Sequence, residues 1–258
     1  MKSNQSANNI ADERLRARLE DGVSRCLSRH EGQFLGFLNE RERALTEAWL
    51  RARQDVRSLF WGGYPEAERV FLGLFPAYWE PRPEDVPLSA LTVRFRSQDA
   101  LGHRDVLGAL LSHGIQREVV GDILVEPGRA VCFVRQEMAD YLLVQLTRIG
   151  RVGVRVERGA KEPLPPGSQW EECSAVVSSL RLDCLVAACT GLSRTKAAAL
   201  IQEGLVTLDH EAAGQPCRLV ESGSKLSIRG RGRFLLDRVG AATKTGRLRI
   251  FIKKYGSF

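Results

Sequence analysis

The chain has 258 residues, 43% hydrophobic and 27% charged, with a formal net charge of +7. That length fits about two globular domains, and no run of about 18 apolar residues is present to span a membrane. The charge excess is local: Ser179 to Phe258 holds 14 Lys+Arg and 6 Asp+Glu, a net of +8 that leaves −1 for the residues before it. A basic balance confined to one segment points to a polyanion surface, with nucleic acid the first partner to consider.

The polar start, Met1 to Asn9, lacks an apolar h-region, so no secretory signal is expected and the reading is cytoplasmic. Six cysteines (Cys26, Cys132, Cys173, Cys184, Cys189, Cys217) and four histidines (His30, His103, His113, His210) are scattered. They contain no C-x-x-C pair and no zinc spacing, so neither metal nor cofactor is expected and the thiols read as free.

Residues 1–83 read as a helical domain. Leu15, Leu19, Val23 and Leu27 recur at four-residue steps. Glu40 to Leu59 reads as a second helix, with Ala44, Leu45, Ala48 and Trp49 together. Gly62-Gly63-Tyr64-Pro65 is a turn, and Pro65 suits the start of a third helix. Pro81-Arg82-Pro83 reads as a linker.

Residues 84–172 switch pattern. Leu91, Val93 and Phe95 alternate with polar residues, as a half-buried strand does. A helix from His103 to Leu111 follows. Asp122–Val125 and Ala130–Val134 then flank Glu126-Pro127-Gly128-Arg129 as a hairpin. A helix from Gln136 to Arg148 and a strand through Val152, Val154 and Val156 complete βαββαβ, the ferredoxin-like order. The overall fold class is therefore α+β. Lys161 to Gly167, with three prolines, is a second linker.

Residues 173–258 read as two helices followed by strands at Leu205–Asp209, Lys225–Arg229, Phe234–Leu236 and Leu248–Ile252. Arg181 opens the first helix, and Ser193-Arg194-Thr195-Lys196 opens the second with Ser193 as N-cap. A helix N-terminus favours anions, so cations in that first turn suggest that a phosphate is expected there. Arg229-Gly230-Arg231-Gly232-Arg233 is a second basic cluster, and Lys244, Arg247, Arg249, Lys253 and Lys254 are a third. A solvated basic edge that discourages strand pairing would explain one such cluster. Three in eighty residues, with few acids between, favour a ligand.

Leu180-Arg181-Leu182-Asp183, Gly191-Leu192-Ser193-Arg194-Thr195-Lys196-Ala197 and Ile201-Gln202-Glu203-Gly204-Leu205-Val206 together resemble the S4 RNA-binding domain. That resemblance implies two helices on a small bent sheet, with an RNA surface at Arg181, Ser193, Arg194, Lys196 and the later loops. The segment His103 to Leu111, then Gly114-Ile115, Arg117-Glu118 and Gly121-Asp122-Ile123, with Gly62 to Arg69, resembles the YlmH family of bacterial S4-domain proteins. Gly230 to Phe234 and Thr243-Lys244-Thr245-Gly246-Arg247 fit the same family, so the resemblance covers roughly residues 30 to 252. It implies an RNA-recognition-like middle domain. The targets it implies are ribosomal and transfer RNA on the large ribosomal subunit, in rescue of obstructed peptidyl-tRNA during ribosome-associated quality control. The oligomeric state is left open.

One departure is chemical. RNA-recognition sheets display aromatics for base stacking, whereas the corresponding strand here reads Ala130-Val131-Cys132-Phe133-Val134. Only Phe95 and Phe133 are candidates, and each reads as core. RNA contact through basic helix edges such as Arg104 and Arg117 is the alternative, and His103 suits either a helix cap or an RNA contact.

His103-Arg104-Asp105 echoes a kinase catalytic loop, but Leu110 stands where the Asn should be. Arg181-Leu182-Asp183 echoes the catalytic triplet of pseudouridine synthases, yet it sits where S4 domains carry the same residues. The leading expectation is a non-enzymatic RNA-binding protein. An RNA-modifying enzyme anchored by its S4 domain is the alternative, and an adaptor for an acidic protein or membrane surface is a third class.

Overall fold

The computed structural model describes residues 2–167, 170–209, 211–243 and 246–255. It divides into two compact units, one of Asp12–Gly167 and one of Ser168–Ser257 with Met1–Ala11.

In the first unit, the four-residue spacing of Leu15, Leu19 and Val23 makes the buried stripe of α1 (Lys2–Arg29), which Cys26 extends while Leu27 stays exposed. Three strands follow in one antiparallel sheet: β1 (Gln33–Leu38), β2 (Val56–Trp61) and β3 (Val70–Pro76), in the order β1-β3-β2. Helix α2 (Glu40–Leu50) lies between β1 and β2 in sequence. Asn39 starts it with a capping box, its side chain accepting the Glu42 amide at 3.0 Å while Glu42 accepts the Asn39 amide at 2.8 Å.

The expected helical domain over residues 1–83 is therefore corrected to an α+β arrangement. Val70 to Phe75 is an unbroken apolar run, and every residue of β3 is buried. A strand covered on both faces loses the two-residue alternation, and such a run cannot be told from a buried helix by periodicity. Leu72 and Leu74 pack with Leu15, Leu19 and Val23 on one face, while Phe71 packs on the other with Phe37, Leu124, Val131 and Phe133. Helix α2 also ends before Val56, and Thr46 and Leu50 are its buried residues, not Ala44 and Leu45.

The second sheet is built from β4 (Leu88–Arg94), α3 (His103–Ser112), β5 (Val120–Glu126), β6 (Arg129–Arg135), α4 (Gln136–Gln145), a two-residue-per-strand hairpin of β7 (Arg148–Ile149) and β8 (Val152–Gly153), and β9 (Arg155–Arg158). Its order is β5-β6-β4-β9 with every neighbour antiparallel, the arrangement of a split βαβ sheet. The period of two sorts its side chains. Leu91, Val93, Ala130, Cys132 and Val134 face α3 and α4, while Leu88, Ala90, Val131 and Phe133 face the first sheet. Residues 12–83 and 84–158 thus share a core, with the two sheets packed on each other.

The loop Gly62–Arg69 locks this packing. Asp122, at 9% exposure, accepts the Tyr64 hydroxyl at 2.8 Å, the Glu68 amide at 2.7 Å and the Arg69 amide at 3.1 Å. The Arg69 guanidinium donates to the carbonyls of Val120, Phe37 and Arg117. Tyr64 stacks on Phe133 with ring centroids 5.1 Å apart.

In the second unit, β10 (Trp170–Val177) precedes α5 (Leu182–Thr190) and α6 (Arg194–Gln202). The sequence placed a linker and then two helices here, so the leading strand is a correction. Its weak signal, Glu171-Glu172-Cys173-Ser174, reflects an edge position with one open face. The remaining strands are β11 (Val206–Leu208), β12 (Glu211–Ala212), β13 (Lys225–Ile228), β14 (Gly232–Ala242) and β15 (Leu248–Tyr255). The sheet runs β10-β15-β14-β13-β11-β12, and β14 carries two register shifts against β15. Both helices pack on one face through Leu182, Leu185, Ala197 and Ile201 against Leu226, Phe234, Leu236 and Ile250.

Candidate nucleic-acid interface

Ser193 takes the N-cap of α6, and its hydroxyl accepts the Lys196 amide at 3.4 Å. Ser193, Arg194, Thr195 and Lys196 are all exposed, so this first turn opens to solvent. Lys196 forms no ion pair among the described residues.

Arg194 differs. It donates to Asp183 Oδ2 at 2.9 Å, while Arg181 holds the same carboxylate through Nε at 3.2 Å and Nη2 at 3.1 Å. Burial by itself would raise the Asp183 pKa, but hydrogen bonds from Arg181, Arg194 and Cys184 outweigh it and hold the group down at about 2. By sequence alone, both cations in the α6 first turn point to an expected phosphate. The protein itself supplies an anion for Arg194, and only Lys196 keeps the mismatch with the helix dipole.

The start of α5 is also filled. The Leu182 amide donates to the Arg218 carbonyl at 2.8 Å and the Asp183 amide to the Pro216 carbonyl at 3.0 Å. Arg181 therefore braces a loop and an acid, and it stands beside a helix end already occupied by protein.

Arg229 and Arg231 lie on the tight connection between β13 and β14, Arg233 follows in the first residues of β14, and all three are exposed. The Arg231 amide donates to the Ile228 carbonyl at 2.9 Å, and Gly230 and Gly232 have φ of 75 and 109 degrees. The alternating glycines are thus demanded by the turn itself. The Arg229 amide donates to the Leu205 carbonyl at 2.9 Å, which sets this turn at the C-terminal end of α6. Lys196 is near the other end, about 9 Å away along the helix. The two clusters are therefore separate on the surface of this unit.

On the face of the sheet opposite the helices, the Arg233 guanidinium lies 4.2 Å from the Tyr255 ring centroid, and that of Arg238 lies 4.2 Å from Phe251. Lys253 pairs with Asp237 at 2.8 Å, so it is engaged as well. Arg247 and Arg249 are exposed without an ion pair among the described residues. Lys244 lies outside the described residues. The Arg247 amide donates to the Thr243 hydroxyl at 3.1 Å.

In the other unit, Gly102, not His103, is the N-cap of α3, and Asp105 accepts the Gly102 amide at 2.8 Å. His103 and Arg104 are exposed in the first turn. Arg117 is structural: it donates to the Val120 and Gly121 carbonyls, and burial together with the nearby Arg69 draws its pKa down to about 10. Arg148 and Arg151, which the sequence reading missed, join Arg104 around one groove. Phe133 is 1% exposed, and Phe95 packs on the helix-side core. Among the described residues no group of three or more His, Cys, Asp and Glu side chains is placed to hold a metal ion. No single described helix is long and apolar enough to cross a membrane.

Residues 81–162 match the family model described as "Putative RNA-binding domain in YlmH". The chain is 34% identical over 220 residues to "Ribosome-associated protein quality control protein P2" of Bacillus subtilis (strain 168), covering 84% of this chain and 85% of that protein. The chain belongs to the YlmH family. A solved structure titled "Cell division protein ylmH from Streptococcus pneumoniae" is similar in fold, with a TM-score of 0.51 at 21% identity, over 58% of this chain and 91% of that one. The segment of this YlmH-family chain that matches the RNA-binding model takes in the four-stranded sheet, α3, α4 and the Arg104 groove.

Proposed function

We propose that the chain is a non-enzymatic RNA-binding protein. It grips structured ribosomal or transfer RNA through its C-terminal unit, read as an S4 domain, and works on the large ribosomal subunit in rescue of obstructed peptidyl-tRNA. The observation that carries this reading is the set of exposed cations Lys196, Arg229, Arg231, Arg247 and Arg249, none with an ion pair among the described residues. The neighbouring acids Asp183 and Asp237 are already held by Arg181, Arg194 and Lys253. Unpaired guanidinium and ammonium groups on a folded surface are what a phosphate backbone requires. Two helices bent by 110 degrees on one face of a sheet support the S4 reading. The printed name of the Bacillus subtilis relative supports the ribosomal setting.

The reading gives each residue a role. Lys196 meets phosphate at the open turn of α6, with Ser193 shaping that turn. Arg229, Arg231 and Arg247 meet further phosphates at the strand connections, where Lys244 is assigned on sequence alone. Arg181 and Arg194 form the braced edge of the surface, and the proposed boundaries of this unit remain 173–258. His103 and Arg104 extend the contact into the RNA-recognition-like segment, 84–172.

No observation favours the RNA-modifying alternative. That alternative needs a catalytic constellation within residues 1–170, whereas Asp183, paired with Arg181 and Arg194, lies in the unit that would serve only as its anchor.

The test is Lys196→Glu combined with Arg231→Glu, read by binding to transfer RNA and to large ribosomal subunits. Binding falls by at least an order of magnitude if the reading holds, and unchanged binding to both overturns it. Reversing Arg194 is the poorer choice, because the new carboxylate would face Asp183 and destabilise the fold.

A further inference from the structure

The four-stranded sheet of the Asp12–Gly167 unit has both faces covered. Helices α3 and α4 take one, and the other is closed by Phe37, Phe71, Trp61, Tyr64 and the chain around Leu164. An aromatic stacking surface is therefore not on offer there, and an RNA contact in the matched segment must leave from its helical side.

On that side α3 and the β7–β8 hairpin enclose an open groove of about 650 Å³. Arg104, Arg148 and Arg151 line it, all exposed and none with an ion pair among the described residues. The acid in its lining, Asp105, is engaged with the Gly102 amide. The floor is small: a Cβ at Gly108 or Gly150 would have no neighbour within 4 Å, so a backbone can approach closely. No aromatic residue lines the groove.

We propose that this groove binds the sugar-phosphate backbone of structured RNA through Arg104, Arg148 and Arg151, without base preference. The inference rests on the RNA-binding reading above and adds a second, separately testable contact. Three guanidiniums lining one groove match the needs of phosphate oxygens. Without rings for stacking, affinity comes from charge and is indifferent to sequence. Carboxylates of an acidic polypeptide fit guanidinium forks as well, and it is the match of residues 81–162 to an RNA-binding family model that favours RNA as the occupant.

The experiment uses the full chain and two fluorescent probes, unfractionated transfer RNA and an RNA hairpin of unrelated sequence, titrated between about 50 and 200 mM salt. Replacing all three arginines with Gln is expected to lower affinity about ten-fold or more for both probes, and to flatten the salt slope by about two to three units. The thermal midpoint should be unchanged, since none of the three side chains holds the fold together. Replacing all three with Lys keeps the charge but not the fork, and is expected to bind between the parent and the Gln variant. If the Gln variant binds like the parent while Lys196→Glu with Arg231→Glu weakens binding, the groove inference fails and the C-terminal reading stands. If neither variant weakens binding, both fail. Loss confined to one probe would overturn the absence of base preference. Displacement of RNA by polyglutamate at equal charge would assign the groove to acidic protein and overturn the inference.

Discussion

The Tyr64 hydroxyl donates to the Asp122 carboxylate at 2.8 Å, joining the loop between β2 and β3 to strand β5 of the second sheet. The same carboxylate holds the Glu68 and Arg69 amides, so two sequence motifs some fifty residues apart form one clamp. Burial, the first cause, and the charge of Asp122 both push the Tyr64 pKa up, which keeps the hydroxyl a donor.

Removing the acceptor should be severe. Asp122→Ala leaves three donors unmet and is expected to cost about 3 kcal/mol in urea unfolding. Tyr64→Phe removes one of the bonds and should cost about 1 kcal/mol. Equal losses in the two variants would refute the shared-acceptor account.

Gly63 has a φ of 100 degrees, and a Cβ there would lie 2.2 Å from Phe133. Gly63→Ala should therefore destabilise by more than about 2 kcal/mol. Gly108 is helical with open space around it, so Gly108→Ala should stabilise by about 0.5 kcal/mol. Chemical denaturation of both variants checks the contrast.

Asp183 gives the second unit an acid limit. Its folded pKa of about 2 lies below the ordinary carboxylate value of 3.8, so its stabilisation is full above roughly pH 4. It is lost as pH falls from there through about 2, and amounts to roughly 2 kcal/mol. Asp183→Asn should flatten the stability profile in that window, as seen by unfolding midpoints at stepped pH. A profile as steep as the parent's would show that another carboxylate sets the limit.

Thiol labelling should be graded by exposure. Cys173 and Cys217 are exposed, while Cys26, Cys132 and Cys184 are buried. Burial also pushes Cys132 up to about 12 and, with the neighbouring Cys173, Cys189 to about 12. A disulfide reagent at neutral pH should titrate two thiols quickly and the rest only on unfolding. Fast reaction of Cys132 would contradict the packing between β6 and the helices.

Much of the second sheet was legible because its strands alternate: Leu91 and Val93 point one way, and Ala130, Cys132 and Val134 do the same. The first sheet was hidden for the opposite reason, since Val70 to Phe75 is apolar throughout and its neighbours look helical. At the basic surface, Ser193 could be read from the sequence as an N-cap. The pairing of Arg194 with Asp183, eleven residues earlier, could not, because a turn between two helices brings them together. Arg148 and Arg151 escaped notice since a hairpin of two-residue strands carries no periodicity.

The shared carboxylate also bears on how the basic surface meets its ligand. Arg181 reaches both oxygens of Asp183 by itself, and Arg194 doubles up on one of them. When a phosphate draws Arg194 outward, the acid keeps a full two-pronged partner and is never left bare. Under the RNA-binding reading proposed above, Arg194 is then a moored arm, lent to a docking polyanion while Arg181 keeps the acid paired.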